Sequence, residues 1–293
     1  MIIFPDLYIN QTLNGITAWA FNVLPSILPF IIFTKLLSSL GTVDKLSKIF
    51  SKPCKLLFNT PSISSFAFLT SIISGYPVGA KITADLYANG KISKSEAFRM
   101  TSFCSTSGPM FIIGAVGIGM LNSAISGYII FIAHILGAII NGILYRKLDT
   151  KSNDKKLSIK SQEIKSKSID FSSIIIDSVL SILSVGAIIA LFFVIITSLS
   201  PLFSLFPSSV SSILEGFIEI TKGCIDISSI FQSEKIAIIA CTFVISFGGL
   251  SSIIQSMTML NNLKMPIWLF VIQKLSHAII STLIAFVITL LIF

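Results

Sequence analysis

The chain has 293 residues, of which 53% are hydrophobic and only 12% charged, about half the charged fraction of a soluble domain. With a mean hydropathy of +0.91, this composition excludes a disordered chain, a nucleic-acid binder and an ordinary cytosolic enzyme, and reads as an all-α polytopic membrane protein. The net charge of +8 does not point to nucleic acid, because the basic residues cluster in short segments between apolar stretches, as topology signals do.

Taken in chain order, the first expected helix covers 12–40, bent by Pro25 and Pro29. The start MIIFPDLYIN lacks the basic region and small-residue cleavage site of a removable signal peptide, so the first apolar segment is expected to stay in the protein. Segment 35–55 then carries five lysines against Asp44, and 81–99 carries four basic residues against two acidic ones. Weighed by their Lys and Arg counts, both lie on the cytoplasmic side. The apolar stretch 56–80 between them therefore cannot cross, and is expected to enter and return as a re-entrant hairpin broken at SGYPVGAK. Such a break must be buried in protein or line a wet cavity.

Ser93 and Glu96 form a capping box that starts the next helix, which runs into SFCSTSGPMF at 102–111. Pro109 removes a donor and Gly108 weakens the helix before it, so unwinding is expected to expose Cys104, Ser105, Thr106 and Ser107. Met100 to Tyr145 holds no Asp, Glu, Lys or Arg over 46 residues, about 69 Å as helix against a bilayer core of about 30 Å. It reads as two spans with a turn near Leu121-Asn122-Ser123.

Residues 146–170 form a basic cytoplasmic linker with eight basic and four acidic residues. A helix near 172–200 follows, stopped by Pro201. Segment 211–235, with two basic and four acidic residues, is expected outside. The stretch 236–263, interrupted by SFGGLSS, is expected to dip in from that side with its break at Phe247-Gly248-Gly249. Helix 266–292 would then return to the cytoplasm.

Each half so drawn is a span, an amphipathic segment, a broken hairpin and another span. The amphipathic segments are Val43/Leu46/Ile49/Phe50 and Val210/Ile213/Leu214/Phe217/Ile218, the latter with Glu215 and Glu219 on its polar face. A slide of about 174 residues puts Gly75 on Gly249, Lys81 on Gln255 and Leu86 on Leu260. The whole chain 1–293 is thus expected to be one membrane domain: 12–145 the first repeat with an additional span, 171–293 a second, inverted repeat. Inverted repeats with broken helices at mid-membrane are the architecture of secondary transporters.

The expected solute site comprises Gly75, Tyr76, Pro77, Gly79 and Lys81 of the first hairpin and Cys104–Ser107 of the unwound helix. Gly248, Gly249, Ser251 and Gln255 belong to the second break, and Lys274 is a deep cation for an anionic solute. His134 and His277, each near the midplane, are candidates for a proton or polar relay, against the blander reading of neutral imidazoles bonded between helices. Cys54, Cys104, Cys224 and Cys241 form no CxxC pair, so neither a disulfide framework nor a metal site is indicated. No cofactor is called for. A hydrolase using Ser107 or Cys104 with His134 is disfavoured, because STSG lacks the leading Gly of a GxSG nucleophile loop.

The run SGYPVGAKITADLYANGKISKSEAFR followed by SFCSTSGPMFIIGAVGIGM resembles the YlbJ-type sporulation integral membrane proteins, in the wider nucleoside-recognition (Gate) group. AWAFNVLPSILPF, HILGAIINGILYR, EGFIEITKG and SFGGLSSIIQS are similar to that family's pattern as well. Two features depart from it: Ser105 stands where the pattern would have Asn, and the chain is shorter at its N-terminus. The resemblance implies movement of a small polar anion such as dipicolinate across a forespore membrane, or of a nucleoside or ion as in other Gate permeases. A non-transporting scaffold in a sporulation membrane complex is the competing class. The expected partners are the lipid bilayer and a small-molecule anion or nucleoside, with a coupling ion and a homo-oligomer left open.

Overall fold

The structure, a computed structural model, describes residues 5–40, 42–149 and 171–293. Most of the basic linker lies outside the described residues, as do the side chains of Val43 and Leu46. Among the described residues every regular element is helical, and five stretches are long and apolar enough to cross a membrane. The chain is an integral membrane protein, as its composition requires.

Helix α1 (Pro5–Ala18) runs through a π-helical turn at Trp19–Val23 into α2 (Leu24–Ser39). The turn is closed by the Leu24 N–H on the Trp19 carbonyl, and it takes up the defect just ahead of Pro25. The amphipathic α3 (Thr42–Phe58) follows, with Lys45, Lys48, Lys52 and Lys55 exposed beside Ile49 and Phe50. Its neighbours α4 (Ser64–Ser74) and α5 (Val78–Ala88) pack together as a hairpin joined by Gly75-Tyr76-Pro77. Asn59, before this hairpin, donates to the Arg146 carbonyl at 3.4 Å, and Ser95, after it, donates to Asp149 at 2.7 Å. Both ends of the hairpin therefore sit at the same end of the molecule as the start of the basic linker, and the expected re-entrant hairpin is present.

Helix α6 (Lys94–Met100) begins at the expected capping box, with both reciprocal bonds formed. The chain then leaves the helix through Ser107 and resumes as Met110–Met120, a π-helical segment started by Pro109. Asn122, at φ 53°, helps turn the chain, and Ser123 caps α7 (Ala124–Leu144) by accepting from Ser126 N–H. The second half opens with α8 (Phe171–Phe203), which carries Pro201 in its last turn and runs two residues past the expected stop.

The second hairpin is not where the sequence pattern put it. Helices α9 (Ser208–Ile218) and α10 (Ile220–Ile230) form it, with Glu219 at the tip in an extended conformation (φ −141°, ψ 123°). Their crossing is tight: a Cβ built on Gly223 would lie 2.2 Å from the Gly216 Cα. Helices α11 (Glu234–Phe247) and α12 (Gly249–Met259) are instead one broken span, separated only by Gly248 at φ 94°. A short 3-10 turn at Asn261–Leu263 leads to α13 (Ile267–Ile292).

The direction of α13 is corrected with it. Gln273 donates to the Phe98 carbonyl at 2.8 Å and Tyr145 bonds Ser276 at 3.2 Å, so α13 starts at the basic end and finishes at the other. Ser126, at the start of α7, donates to Glu234, at the start of α11, at 2.5 Å, which fixes that opposite end. The expectation failed because the acidic residues of 211–235 are not a loop's surface charge. Glu215 pairs with Lys222 at 3.0 Å, and Lys222 also bonds Asp226, all within the hairpin. Each half thus reads span, hairpin, broken span, span, an odd number of crossings that inverts the second half against the first. The shift that pairs Gly75 with Gly249 is replaced by one that pairs the two hairpin tips and the two breaks. It also pairs the histidines, each the eleventh residue of its helix.

Candidate functional site

Both hairpin tips, the first break and the helix that follows the second break meet at one cavity of about 120 Å³. Ser74, Gly75 and Tyr76 reach it from the first hairpin tip, and Ser107 and Gly108 from the first break. Glu219, Ile220 and Thr221 come from the second tip, and Ser251, Ser252 and Gln255 from the first turns of α12. Val23, Ile27 and Phe30 of the first span and Val185, Ile188 and Ile189 of α8 close it with an apolar wall. A larger cavity of about 660 Å³ adjoins, sharing Ser74, Tyr76 and Gln255 and adding Pro77, Lys81 and Lys35 toward the basic end.

Backbone contact builds the first quarter of the site. Gly75 adopts φ 74°, and a Cβ there would lie 2.8 Å from the Gly108 N, so tip and break touch main chain to main chain. Only glycine allows both the conformation and the approach. On the far side of the tip, Gly79 is pressed on the Cys104 carbonyl, 1.7 Å from where its Cβ would be.

Among the described residues Glu219 is the one acidic side chain lining the smaller cavity. It is 4% exposed, and its Oε2 accepts the Lys222 N–H at 2.8 Å, capping α10. The Thr221 N–H and hydroxyl also lie against the carboxylate, and both residues line the cavity. Sequence reasoning placed Glu219 on the polar face of an interfacial helix and missed it. The signal was present in EGFIEITKG, where Gly216 and Gly223 flank the acid on both sides at helix-crossing distance.

Of the expected site residues, Gly75, Tyr76, Ser107, Ser251 and Gln255 line the smaller cavity, while Pro77 and Lys81 line the larger one. The others lie behind the tips. Thr106 donates to the Ser71 hydroxyl at 3.3 Å, and Gly249 packs on the Gly216 and Ile218 carbonyls. Lys274 lines neither cavity: its ammonium donates to the Tyr76 hydroxyl at 2.6 Å and the Ser105 carbonyl at 2.9 Å, and its stem passes Gly248.

The two histidines form a buried chain. Ser107 N–H, freed by the unwinding, donates to His134 Nε2 at 2.9 Å, so the neutral ring carries its proton on Nδ1 and donates it to Ser246 at 2.8 Å. His277 Nε2 donates to the His134 carbonyl at 2.9 Å, with the rings 4.7 Å apart. His134 therefore meets the backbone of Ser107, whereas a nucleophile pair would need it on the hydroxyl.

Comparison with known proteins agrees with this architecture. Residues 20–124 match the family model described as Gate, nucleoside recognition. Over 151 residues the chain is 34% identical to the sporulation integral membrane protein YlbJ of Bacillus subtilis, a match covering 52% of this chain and 37% of that protein. The matched part thus spans little more than a third of the relative's length. Among solved structures, a CNTnw variant in an outward-facing state superposes with a TM-score of 0.62 at 18% identity, covering 93% of this chain and 76% of that one. CNTnw in an inward-facing substrate-bound state gives 0.57 at 15%, covering 92% and 75%. The fold is that of the concentrative nucleoside transporters.

Proposed function

We propose that this chain is a membrane transporter that binds a small, uncharged, hydroxyl-bearing solute of the nucleoside class at the cavity between its hairpin tips. The observation that carries this reading is the convergence of two tips, the first break and the start of α12 on one cavity containing a buried carboxylate. Glu219, Thr221, Ser251 and Gln255 offer acceptors and donors on one side, and Phe30 and Ile188 offer an apolar surface on the other. That mix suits a sugar hydroxyl face joined to a flat base. The basic end is taken as cytoplasmic, by the lysines of α3 and the linker, and the larger cavity as the route to it.

The anionic solute suggested by family resemblance, dipicolinate, fits this cavity less well. Among the described residues no basic side chain lines the smaller cavity, and a dianion there would meet Glu219. Lys35 and Lys81 in the larger cavity favour an anion as a second reading. By likeness to YlbJ, a sporulation membrane is the proposed setting. The test is uptake of labelled uridine and labelled dipicolinate by proteoliposomes holding the full chain. Saturable uridine uptake that unlabelled nucleosides inhibit supports the first reading, and dipicolinate uptake without uridine uptake supports the second. Absence of both leaves the scaffold role.

A further inference from the structure

Lys274 is the eighth residue of α13 and only 2% exposed. An ammonium at such depth is costly unless it is paired, yet among the described residues the ion pairs involve Lys222, and no carboxylate meets Lys274. Its ligands are the Tyr76 hydroxyl from the first hairpin tip and the Ser105 carbonyl from the first break. The ammonium also lies 4.7 Å from the centroid of the Tyr76 ring, close enough for the ring face to attract a cation. The lysine belongs to the second repeat and both ligands to the first.

Free carbonyls of unwound helix are ligands with which broken-helix transporters hold a monovalent coupling cation, and the Tyr76 hydroxyl adds a second oxygen beside the Ser105 carbonyl. Here a covalently attached cation fills that place. We propose that the Lys274 ammonium is a tethered substitute for a diffusible coupling ion, fixing the first tip to the first break without Na⁺. The inference rests on the transport reading above and adds to it that no alkali cation is needed.

The test has a solute-free arm and a transport arm. Detergent-solubilised full-length protein is melted in NaCl and in choline chloride at equal ionic strength. The native midpoint should be the same in both, while Lys274→Ala, which vacates the ligands, should melt lower in choline and regain stability with Na⁺ or Li⁺. In proteoliposomes, native uridine uptake should be equal in the two salts. Lys274→Ala should lose about tenfold in choline, corresponding to about 1.4 kcal/mol, and recover in NaCl. Na⁺-dependent melting or uptake of the native protein overturns the proposal, as does Lys274→Ala behaving like the parent in choline. Because melting needs no solute, a wrong substrate shows as absent uptake with the melting pattern intact. If neither Lys274→Ala nor Lys274→Met can be purified, the native comparison decides alone.

Discussion

Replacing Glu219 probes the proposed site most directly. Glu219→Gln keeps the size of the side chain and an oxygen that can accept the Lys222 N–H, now 2.8 Å from the carboxylate, and removes only the charge. Glu219→Ala removes both. A hydrogen bond to a charged group is worth about 1.5–3 kcal/mol, so losing one from a bound hydroxyl should weaken binding by about 10- to 100-fold. Glu219→Gln should bind uridine more weakly than the parent and Glu219→Ala more weakly still. Glu219→Ala should also lose thermal stability, because the orphaned N–H lies beside a residue only 4% exposed. Isothermal titration of purified protein gives the affinities, and uptake by proteoliposomes gives the rates. If Glu219→Ala binds and carries uridine like the parent, the carboxylate is a helix cap alone and the solute site lies elsewhere.

Three other outcomes follow from the geometry. Single cysteines at Lys48, Lys91 and Lys264 in a Cys-free background should be labelled from one face of the membrane and at Asn122 and Phe293 from the other; labelling of Lys264 and Phe293 from the same face would contradict the direction given to α13. Gly75→Val and Gly248→Val should each abolish uptake while protein remains in the membrane, since their φ values of 74° and 94° are strained for a side chain; full activity of both would remove the breaks from the site. A disulfide between Ser26→Cys and Gly114→Cys, whose Cβ positions lie about 3.0 Å apart, should block uptake reversibly on oxidation, and unaffected uptake would show that this contact never opens.

What could be read from the sequence was what charge and backbone chemistry write locally. Lysines on both sides of 56–80 fixed the first hairpin, and Ser107-Gly108-Pro109 fixed the first break. The second half was harder because its hairpin carries charge inside. Glu215, Lys222 and Asp226 satisfy one another across two helices, which no one-dimensional charge count can distinguish from an exposed acidic loop. Gly248 misled for a related reason. A left-handed residue can turn a chain back or merely offset two collinear helices, and only the packing of α12 on α5 and α9 settles which. The histidines were legible as deep polar groups, but their partners, Ser107 N–H and Ser246, are set by tertiary contact.

Two groups of helices meet at the cavity. Helices α1, α2 and α8 pack closely on one another, with Gly15 against Ala190 and Gly186 against Trp19 at approaches of 2.7 Å for an added Cβ. The hairpins, the broken spans, α7 and α13 face them, tied to one another by Lys274, Gln273 and the histidine chain. Between these groups a cavity of about 660 Å³ lies toward the basic end, whereas toward the opposite end Ser26 closes on Gly114 and Asn22 on Gly119. The smaller cavity is thus open toward one end and closed toward the other. The polar ties of the second group run through the breaks themselves: Ser107 N–H is held by His134, and the Ser105 carbonyl by Lys274. That gives deep polar residues that line no cavity a structural role, because unwound backbone at membrane depth needs partners that lipid cannot supply.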